Sequence, residues 1–469
     1  MRILLVNPGP SRGMAGVPWP HLGLVLLATD ARARGHDVLV ADYAFSAATP
    51  PLRSLLGSFA PDLCGVTLYT AQMRFARRAV AEIRALRPVP VAVGGPHATL
   101  YAEDLAREGF AEAIFKGECD RAFGEAAGRL VRGGPSAVIA ADPPEAASIR
   151  LPDFSLAWGA KRMASYPLQL SRGCPYRCSF CSVKFLSTRR VRLRETGVCL
   201  DEVGRAVARW PGLREIRIVD DCPTFDRAGF KSFLRGYEAA GFGLPLHLDN
   251  LRADGVDEET LSLLRSIGVD HLCLGVESGN PAVFDLVHKG ETLDEIVRAA
   301  RLIRRRRLRL YLCFIVGLPG ATPSADLDSV RLARALRPQW IYWNQFQPHR
   351  GTEARAWFES HGRLYEEEDK SSLTGLALET TLPPCDTPDY PAAERVRMQL
   401  SAALLSGAYW LNPLLLPRYA RLIASRRLGG AFWRGLPAAV RTNALMLGHK
   451  AAVRLRTAFG RRRKAGAPR

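Results

Sequence analysis

No acidic residue occurs in the last 75 positions of this 469-residue chain, where 16 Lys and Arg stand. The preceding 394 residues set 49 basic against 46 acidic side chains, so most of the formal net charge of +19 belongs to the terminal segment. A nearly neutral body argues against nucleic acid as the partner, and the cationic segment seeks an anionic surface. Also missing is an unbroken run of about 20 apolar residues long enough to span a bilayer. The closest stretch, 398–417, is uncharged but holds Gln399, Asn412, two Ser and two Pro. The opening Met1-Arg-Ile-Leu-Leu-Val-Asn-Pro lacks the apolar core of a secretory signal. Ten cysteines without such a signal point to a reducing, cytoplasmic setting, where clustered thiols bind metal more often than they form disulfides. No Gly-x-Gly-x-x-Gly follows the first apolar run, which sets aside a dinucleotide. With 47% apolar and 24% charged residues, the chain reads as an ordinary globular protein, not a collagenous, disordered or disulfide-framework one.

What is there is alternation. Short apolar runs at Ile3–Val6, Asp37–Ala41, Leu63–Leu68, Val89–Val93 and Ala113–Phe115 enclose helical patterns such as Leu22–Arg34 and Gln72–Leu86. Strand–helix alternation predicts an α/β domain over 1–140, Rossmann-like or flavodoxin-like, with ligands beyond the carboxyl ends of its strands. Residues 141–165, with Asp142-Pro-Pro and Leu151-Pro, read as a linker. A second series follows over 166–350, with strands at Leu168–Ser171, Glu215–Val219, Leu244–Asp249, His271–Val276, Arg309–Val316 and Trp340–Gln345. Six repeats in this length predict a partial (β/α)6 barrel whose chemistry sits at the strand tips. From 351 to 469 the pattern is mostly helical and ends in the basic tail.

The first strand of the second series runs into Arg172-Gly-Cys174-Pro-Tyr-Arg-Cys178-Ser-Phe-Cys181. Three thiols in eight residues at a strand end suit one face of a cubane iron–sulfur cluster and leave one iron open. A zinc site wants a fourth ligand at matching spacing, and the nearest further thiol is Cys199.

Cys-x3-Cys-x-aromatic-Cys, here Cys174, Cys178, Phe180 and Cys181, resembles the hallmark of the radical SAM superfamily. The resemblance implies a [4Fe-4S] cluster on the three cysteines, with S-adenosyl-L-methionine (SAM) held on the open iron. One electron from a flavodoxin- or ferredoxin-type donor would then release a 5′-deoxyadenosyl radical. It implies SAM contacts at Phe180, at Asp220 and Asp221 after the second strand, and at Arg252 after the third. Glu277 in Gly275-Val-Glu-Ser-Gly and the turn Gly317-Leu-Pro319-Gly320 complete the set. Local readings compete: Asp221 as a turn or helix cap, Arg252 in a surface ion pair, and the glycines as an ordinary turn.

Small residues also mark the strand tips of the first domain. They include Gly65-Val-Thr67-Leu-Tyr69-Thr70, Gly94-Gly95-Pro96-His97 and Lys116-Gly117-Glu118, with Pro8 and Gly9 after the first strand. The arrangement resembles the cobalamin-binding domains that precede radical SAM domains in one large subfamily. Pro8, Gly9, Thr67, Tyr69, Thr70, Gly94, Gly95, Pro96, His97, Gly117 and Glu118 are then the implied cobalamin contacts, although a structural role fits His97 equally. The first loop, Asn7-Pro-Gly-Pro-Ser-Arg-Gly13, lacks the cobalt-ligating His of many cobalamin domains, as is usual in this subfamily. Together the resemblances imply a cobalamin-dependent radical SAM methyltransferase, or a cyclase or rearrangement enzyme built from the same parts. The substrate class expected is a natural product or a lipid-like molecule.

Arginines at 418, 421, 426, 427, 434 and 441, with Trp410 and Trp433, fit either an interfacial helix on anionic lipid or helices packed over the barrel. Arg461-Arg-Arg-Lys464 reads as disordered. Trp340-Ile-Tyr-Trp-Asn-Gln-Phe346 fits either a substrate cavity or core.

Overall fold

The computed structural model describes residues 1–9, 19–46, 48–134, 136–248, 251–365 and 383–406. The expectations for the tail beyond 406, and for Asp249, lie outside the described residues. The chain divides into two compact units. The first is built on Met1–Asp270 and takes in Pro348–Trp357; the second is built on His271–Gln347 and takes in Phe358–Leu364.

The first unit opens with a six-stranded parallel sheet. Its strands are β1 (Arg2–Asn7), β2 (Asp37–Asp42), β3 (Leu63–Thr67), β4 (Val91–Gly94), β5 (Ala113–Lys116) and β6 (Ala137–Ala140). The order is β2-β1-β3-β4-β5-β6, the flavodoxin-like arrangement, with the direction of winding reversing at β1 and β3. β1 and β3 are apolar and buried almost throughout because helices cover both faces. Helix Met73–Leu86 buries Met73, Ala76, Ala79, Val80 and Ile83, the stripe its 3–4 spacing dictates. The sequence reading missed β6, Ala137-Val-Ile-Ala, an edge strand that is largely exposed.

The stretch read as a linker is packed. Phe154 and Met163 are buried, and Trp158 N–H donates to Val40 O at 2.9 Å beside β2. It leads to β7 (Ser165–Leu168), then to the short antiparallel pair β8 (Ser171–Arg172) and β9 (Arg192–Leu193), then to β10 (Glu215–Ile218) and β11 (Leu246–Leu248). β7, β10 and β11 form a parallel sheet in the order β11-β10-β7.

The second unit holds β12 (His271–Glu277), β13 (Arg309–Val316) and β14 (Trp340–Gln345), parallel and in that order. Strands therefore form at five of the six runs expected between 166 and 350, while the first, expected at Leu168–Ser171, lies earlier as β7 at Ser165–Leu168; three of the six fall in each unit. Leu272, Leu274, Leu310, Leu312, Phe314, Ile341 and Trp343 bury one face of this sheet. Trp343 stacks on Phe314 at 4.7 Å and donates to Ser406 Oγ at 3.2 Å, so it belongs to the core, whereas Tyr342 is exposed. Arg395, the first residue of the basic segment, is buried and not a solvated charge. It donates to Gly317 O at 2.9 Å and Tyr390 O at 3.0 Å.

Candidate functional site

β8 delivers the chain into the cysteine loop, and β9 takes it back. Gly173 turns the corner with φ +92°; a Cβ there would lie 2.4 Å from Arg190 O, so glycine is required. Cys174 N–H donates to Thr188 O at 3.2 Å, and Cys181 N–H to Cys178 O at 3.1 Å. Cys174, Cys178 and Cys181 are half-buried and, among the described residues, form no disulfide. A hydrogen bond with Cys222 draws the Cys174 thiol down to about 7, against its partial burial. Among the described residues no three metal-ligating side chains already converge. Three thiols on one short loop, none of them in a disulfide, nonetheless supply the donor chemistry of a three-cysteine cluster.

The acidic pair after β10 fastens this loop. Asp220, buried, accepts from Leu170 N–H at 2.8 Å and Ser171 Oγ–H at 2.5 Å. Asp221 accepts from Gly173 N–H at 3.2 Å. Both carboxylates therefore bond the chain segment that launches the loop, and helix capping falls instead to Asp226. Burial pushes the Asp220 carboxyl up to about 7, against the hydrogen bonds it accepts. Its ordinary value is 3.8, so the folded state binds this proton more tightly than the unfolded chain does. Stability contributed here is full below pH about 4 and declines as pH rises towards 7. Urea midpoints measured from pH 4 to 8 are expected to fall across that window, and Asp220→Asn to flatten the fall. An unchanged slope in the variant would contradict this assignment.

Arg252 is buried, with its guanidinium 3.4 Å from the centroid of the Tyr176 ring and 3.1 Å from Asp254 Oδ2. It is thus held beside the cysteine loop by a carboxylate and an aromatic face. Phe180 lies on the loop itself, between Ser179 and Cys181.

Beyond the carboxyl ends of β1, β3, β4 and β5 opens a cavity of about 560 Å³. Of the cobalamin contacts expected, Thr67, Tyr69, Gly94, Gly95, Gly117 and Glu118 line it. Pro8, Gly9, Thr70, Pro96 and His97 are not among its described lining residues. His97 instead stacks on Tyr101 at 4.3 Å and shares a 3.0 Å bond with Thr70. The fit to cobalamin, a ligand rimmed with amides, rests on two buried acceptors without a partner, Asn7 Oδ1 and Gln72 Oε1, which both belong to lining residues. Each suits an amide N–H donor.

The sequence reading missed the polar wall of this cavity. Asp42 accepts from Asn7 Nδ2 at 2.9 Å and from His21 N–H at 2.8 Å. His21 Nδ1 accepts from Leu24 N–H at 3.1 Å and so caps the helix Leu22–Ala33. Its proton then sits on Nε2, which donates to Tyr69 Oη at 2.9 Å and leaves the phenol O–H free to donate. Burial lowers the His21 pKa, against the pull of Asp42, and raises that of Tyr69 to about 12, so both stay neutral. Trp19-Pro-His21 before an apolar run was the available signal, but His is not a usual cap.

Gln169, Arg172 and Ser187, which flank the cysteine loop in the chain, line this same cavity. The cavity and the base of the loop therefore share a wall within one unit.

In the second unit, Glu277 has φ +66° at a register shift in β12. Its carboxylate lies 3.2 Å from buried Lys289 Nζ, which also pairs with Glu291 at 3.2 Å. Gly317 has φ +77°, and a Cβ on it would lie 2.7 Å from Arg395 Nη1. The space left by that glycine is filled by an arginine of the chain. At Gly320 a Cβ would meet Leu286 at 2.8 Å, and Pro319 stands between these two glycines.

Residues 168–333 match the family profile of the Radical SAM superfamily, and residues 12–127 that of the B12 binding domain. The chain is 25% identical over 380 residues to the anaerobic magnesium-protoporphyrin IX monomethyl ester cyclase of Rubrivivax gelatinosus, covering 74% of this chain and 68% of that protein. It is 24% identical over 383 residues to an uncharacterized methyltransferase of Pyrococcus horikoshii, covering 76% and 82%. Among solved structures, the radical S-adenosylmethionine methyltransferase TsrM from Kitasatospora setae, with tryptophan substrate and a SAM analog bound, superposes with a TM-score of 0.61 at 21% identity, over 76% of this chain and 75% of that one. At that identity the likeness is one of fold.

Proposed function

This chain belongs to the radical SAM enzymes that carry a B12-binding domain, and from that premise we propose that it methylates an unactivated carbon of a natural-product or lipid-like substrate. The observation that carries the reading is the shared wall: residues flanking the three-thiol loop line the cavity that fits cobalamin. When bound, the cluster with SAM supplies a carbon-centred radical and cobalamin supplies the methyl group. The chain's part is to hold and to shield. Cys174, Cys178 and Cys181 ligate the cluster, and Asp220 and Asp221 fix the start of their loop. Arg252, beside the cysteine loop, is a charged group suited to a polar end of SAM, with Phe180 on the loop itself. Asn7, Gln72, Tyr69 and the glycine tips receive cobalamin, while the apolar lining keeps water from reactive species.

The second reading, oxidative cyclisation without net methyl transfer, is favoured by the likeness to the Rubrivivax cyclase. One experiment separates them. Anaerobically loaded protein is given SAM with a trideuterated methyl group, a strong reductant, and tryptophan, a magnesium porphyrin or an isoprenoid in turn. Methylation adds a CD3-bearing mass to the substrate; cyclisation removes hydrogen and adds none. A converted substrate without deuterium would overturn the methyl reading.

The same reading takes a small flavodoxin- or ferredoxin-type protein as electron donor and a cytoplasmic location. Peripheral contact with anionic membrane is its reading of the basic segment; no described helix is long and apolar enough to cross a membrane. Flotation with anionic liposomes is expected to carry the full chain, and to lose it when the last 60 or so residues are removed.

A further inference from the structure

Two buried arginines and two partly buried carboxylates join the cobalamin cavity to the cysteine loop. Glu118 and Asp120 follow β5; Arg172 ends β8, one residue before the Gly173 corner, and Arg192 stands opposite it in β9. Arg172 Nη1 donates to Glu118 at 2.9 Å, and its two terminal nitrogens take both oxygens of Asp120 at 2.9 and 3.0 Å. Arg192 Nη1 donates to the same Glu118 oxygen at 3.0 Å, and its Nη2 bonds the other. Arg192 also binds Pro144 O at 2.7 Å and Ser187 O at 2.9 Å, so it holds the far end of the loop as well. The side chains of Arg172, Arg192 and Glu118 are 7, 3 and 9% exposed. Both oxygens of Glu118 are engaged by these arginines, which leaves that side chain a poor direct partner for cobalamin.

A largely buried cluster of two cations and two anions is weak as a source of stability, because desolvation offsets the attraction. What it supplies is geometry: a guanidinium facing a carboxylate with two parallel bonds fixes distance and angle together. We propose that Glu118 and Asp120, acting through Arg172 and Arg192, are positioning residues that hold the cysteine loop at a set place on the cavity wall, and that passage of a methyl group from SAM to cobalamin depends on that placement. The second half rests on the function proposed above. In that passage the sulfonium C–S bond breaks with its electron pair left on sulfur, giving S-adenosylhomocysteine, and reduced cobalt supplies the pair for the new bond.

The test has two arms. Hydrogen–deuterium exchange on the full chain without cofactors compares the parent with Asp120→Asn and Arg172→Lys. Exchange is expected to rise at least fivefold in 171–193 while the amides of β1 and β3 keep their protection. Equal exchange in 171–193, or a rise spread over the whole first unit, overturns the positioning role. The second arm uses protein loaded with iron, sulfide and cobalamin, then given SAM and titanium(III) citrate. The ratio of S-adenosylhomocysteine to 5′-deoxyadenosine is expected to fall about tenfold or more in Asp120→Asn at parental iron content, since an error of about 1 Å at a reacting centre costs up to about a hundredfold. Charge-conserving Glu118→Asp is expected to recover part of the ratio lost in Glu118→Gln. An unchanged ratio overturns the dependence. A parent chain that forms 5′-deoxyadenosine but no S-adenosylhomocysteine defeats the methyl reading instead, and the exchange arm still decides the positioning role.

Discussion

Replacing Cys178 by alanine is expected to leave a folded chain that no longer retains a four-iron cluster and releases at least about a hundredfold less 5′-deoxyadenosine from SAM than the parent. A cluster on three protein ligands has no spare one, and each thiol lost opens a second iron to water. The same outcome is expected for Cys174→Ala and Cys181→Ala. Folding is spared because the three side chains are only half-buried and their loop is held by other groups, namely Asp221 on Gly173 N–H and Thr188 O on Cys174 N–H. Cys199 supplies the control: it is buried, lies outside the loop, and places its thiol 3.9 Å from Gln169 O. Cys199→Ala is expected to keep both iron and product. Iron and acid-labile sulfide assays with chromatography of the nucleoside check all four variants, and a Cys178→Ala protein with parental iron would contradict the ligand assignment.

The second large effect is expected at Gly94. A Cβ at this position would meet nothing closer than Phe115 Cβ at 3.6 Å, which is ordinary contact, and Gly94 is not among the residues with positive φ. The fold therefore tolerates a side chain here, yet Gly94 lines the cavity. Gly94→Leu is expected to retain thermal stability within a few degrees and to lose cobalamin affinity by at least about tenfold, because a branched side chain occupies ligand volume. Gly65 provides the contrast. A Cβ there would lie 2.6 Å from Leu5 Cδ2, so Gly65→Ala is expected to lower the melting temperature through overpacking. Cobalamin titration by absorbance with a parallel thermal melt separates the two. Undiminished binding by Gly94→Leu would place the ligand elsewhere.

Much of the architecture was legible because its signals are periodic. Strands β1 to β5 carry apolar runs, most of the later strands bury alternate residues on at least one face, and helix Met73–Leu86 shows its stripe. β6 was not legible, since Ala137-Val-Ile-Ala is short and lies exposed at an edge. The cysteine loop was legible from spacing alone. What the sequence concealed is the support around it. Asp220 and Asp221 could be placed at a strand tip, but nothing local shows that they bond Leu170, Ser171 and Gly173, about 50 residues earlier. Glu118, after β5, and Arg172, in β8, are 54 residues apart, so their pairing has no periodic trace. His21 caps a helix in place of the usual Ser, Thr, Asp or Asn, and only the bond to Leu24 N–H reveals it. Nothing local to Gly317 shows that Arg395, 78 residues later, packs on it and donates to its carbonyl.

The most direct measurement is of the loaded, oxygen-free chain with SAM and titanium(III) citrate, scored for both 5′-deoxyadenosine and S-adenosylhomocysteine. A chain that joins a three-thiol cluster to a cobalamin cavity is expected to form both, with the second product requiring bound cobalamin and the first requiring the cluster. Formation of neither by protein carrying full iron and cobalamin would contradict the account at its root.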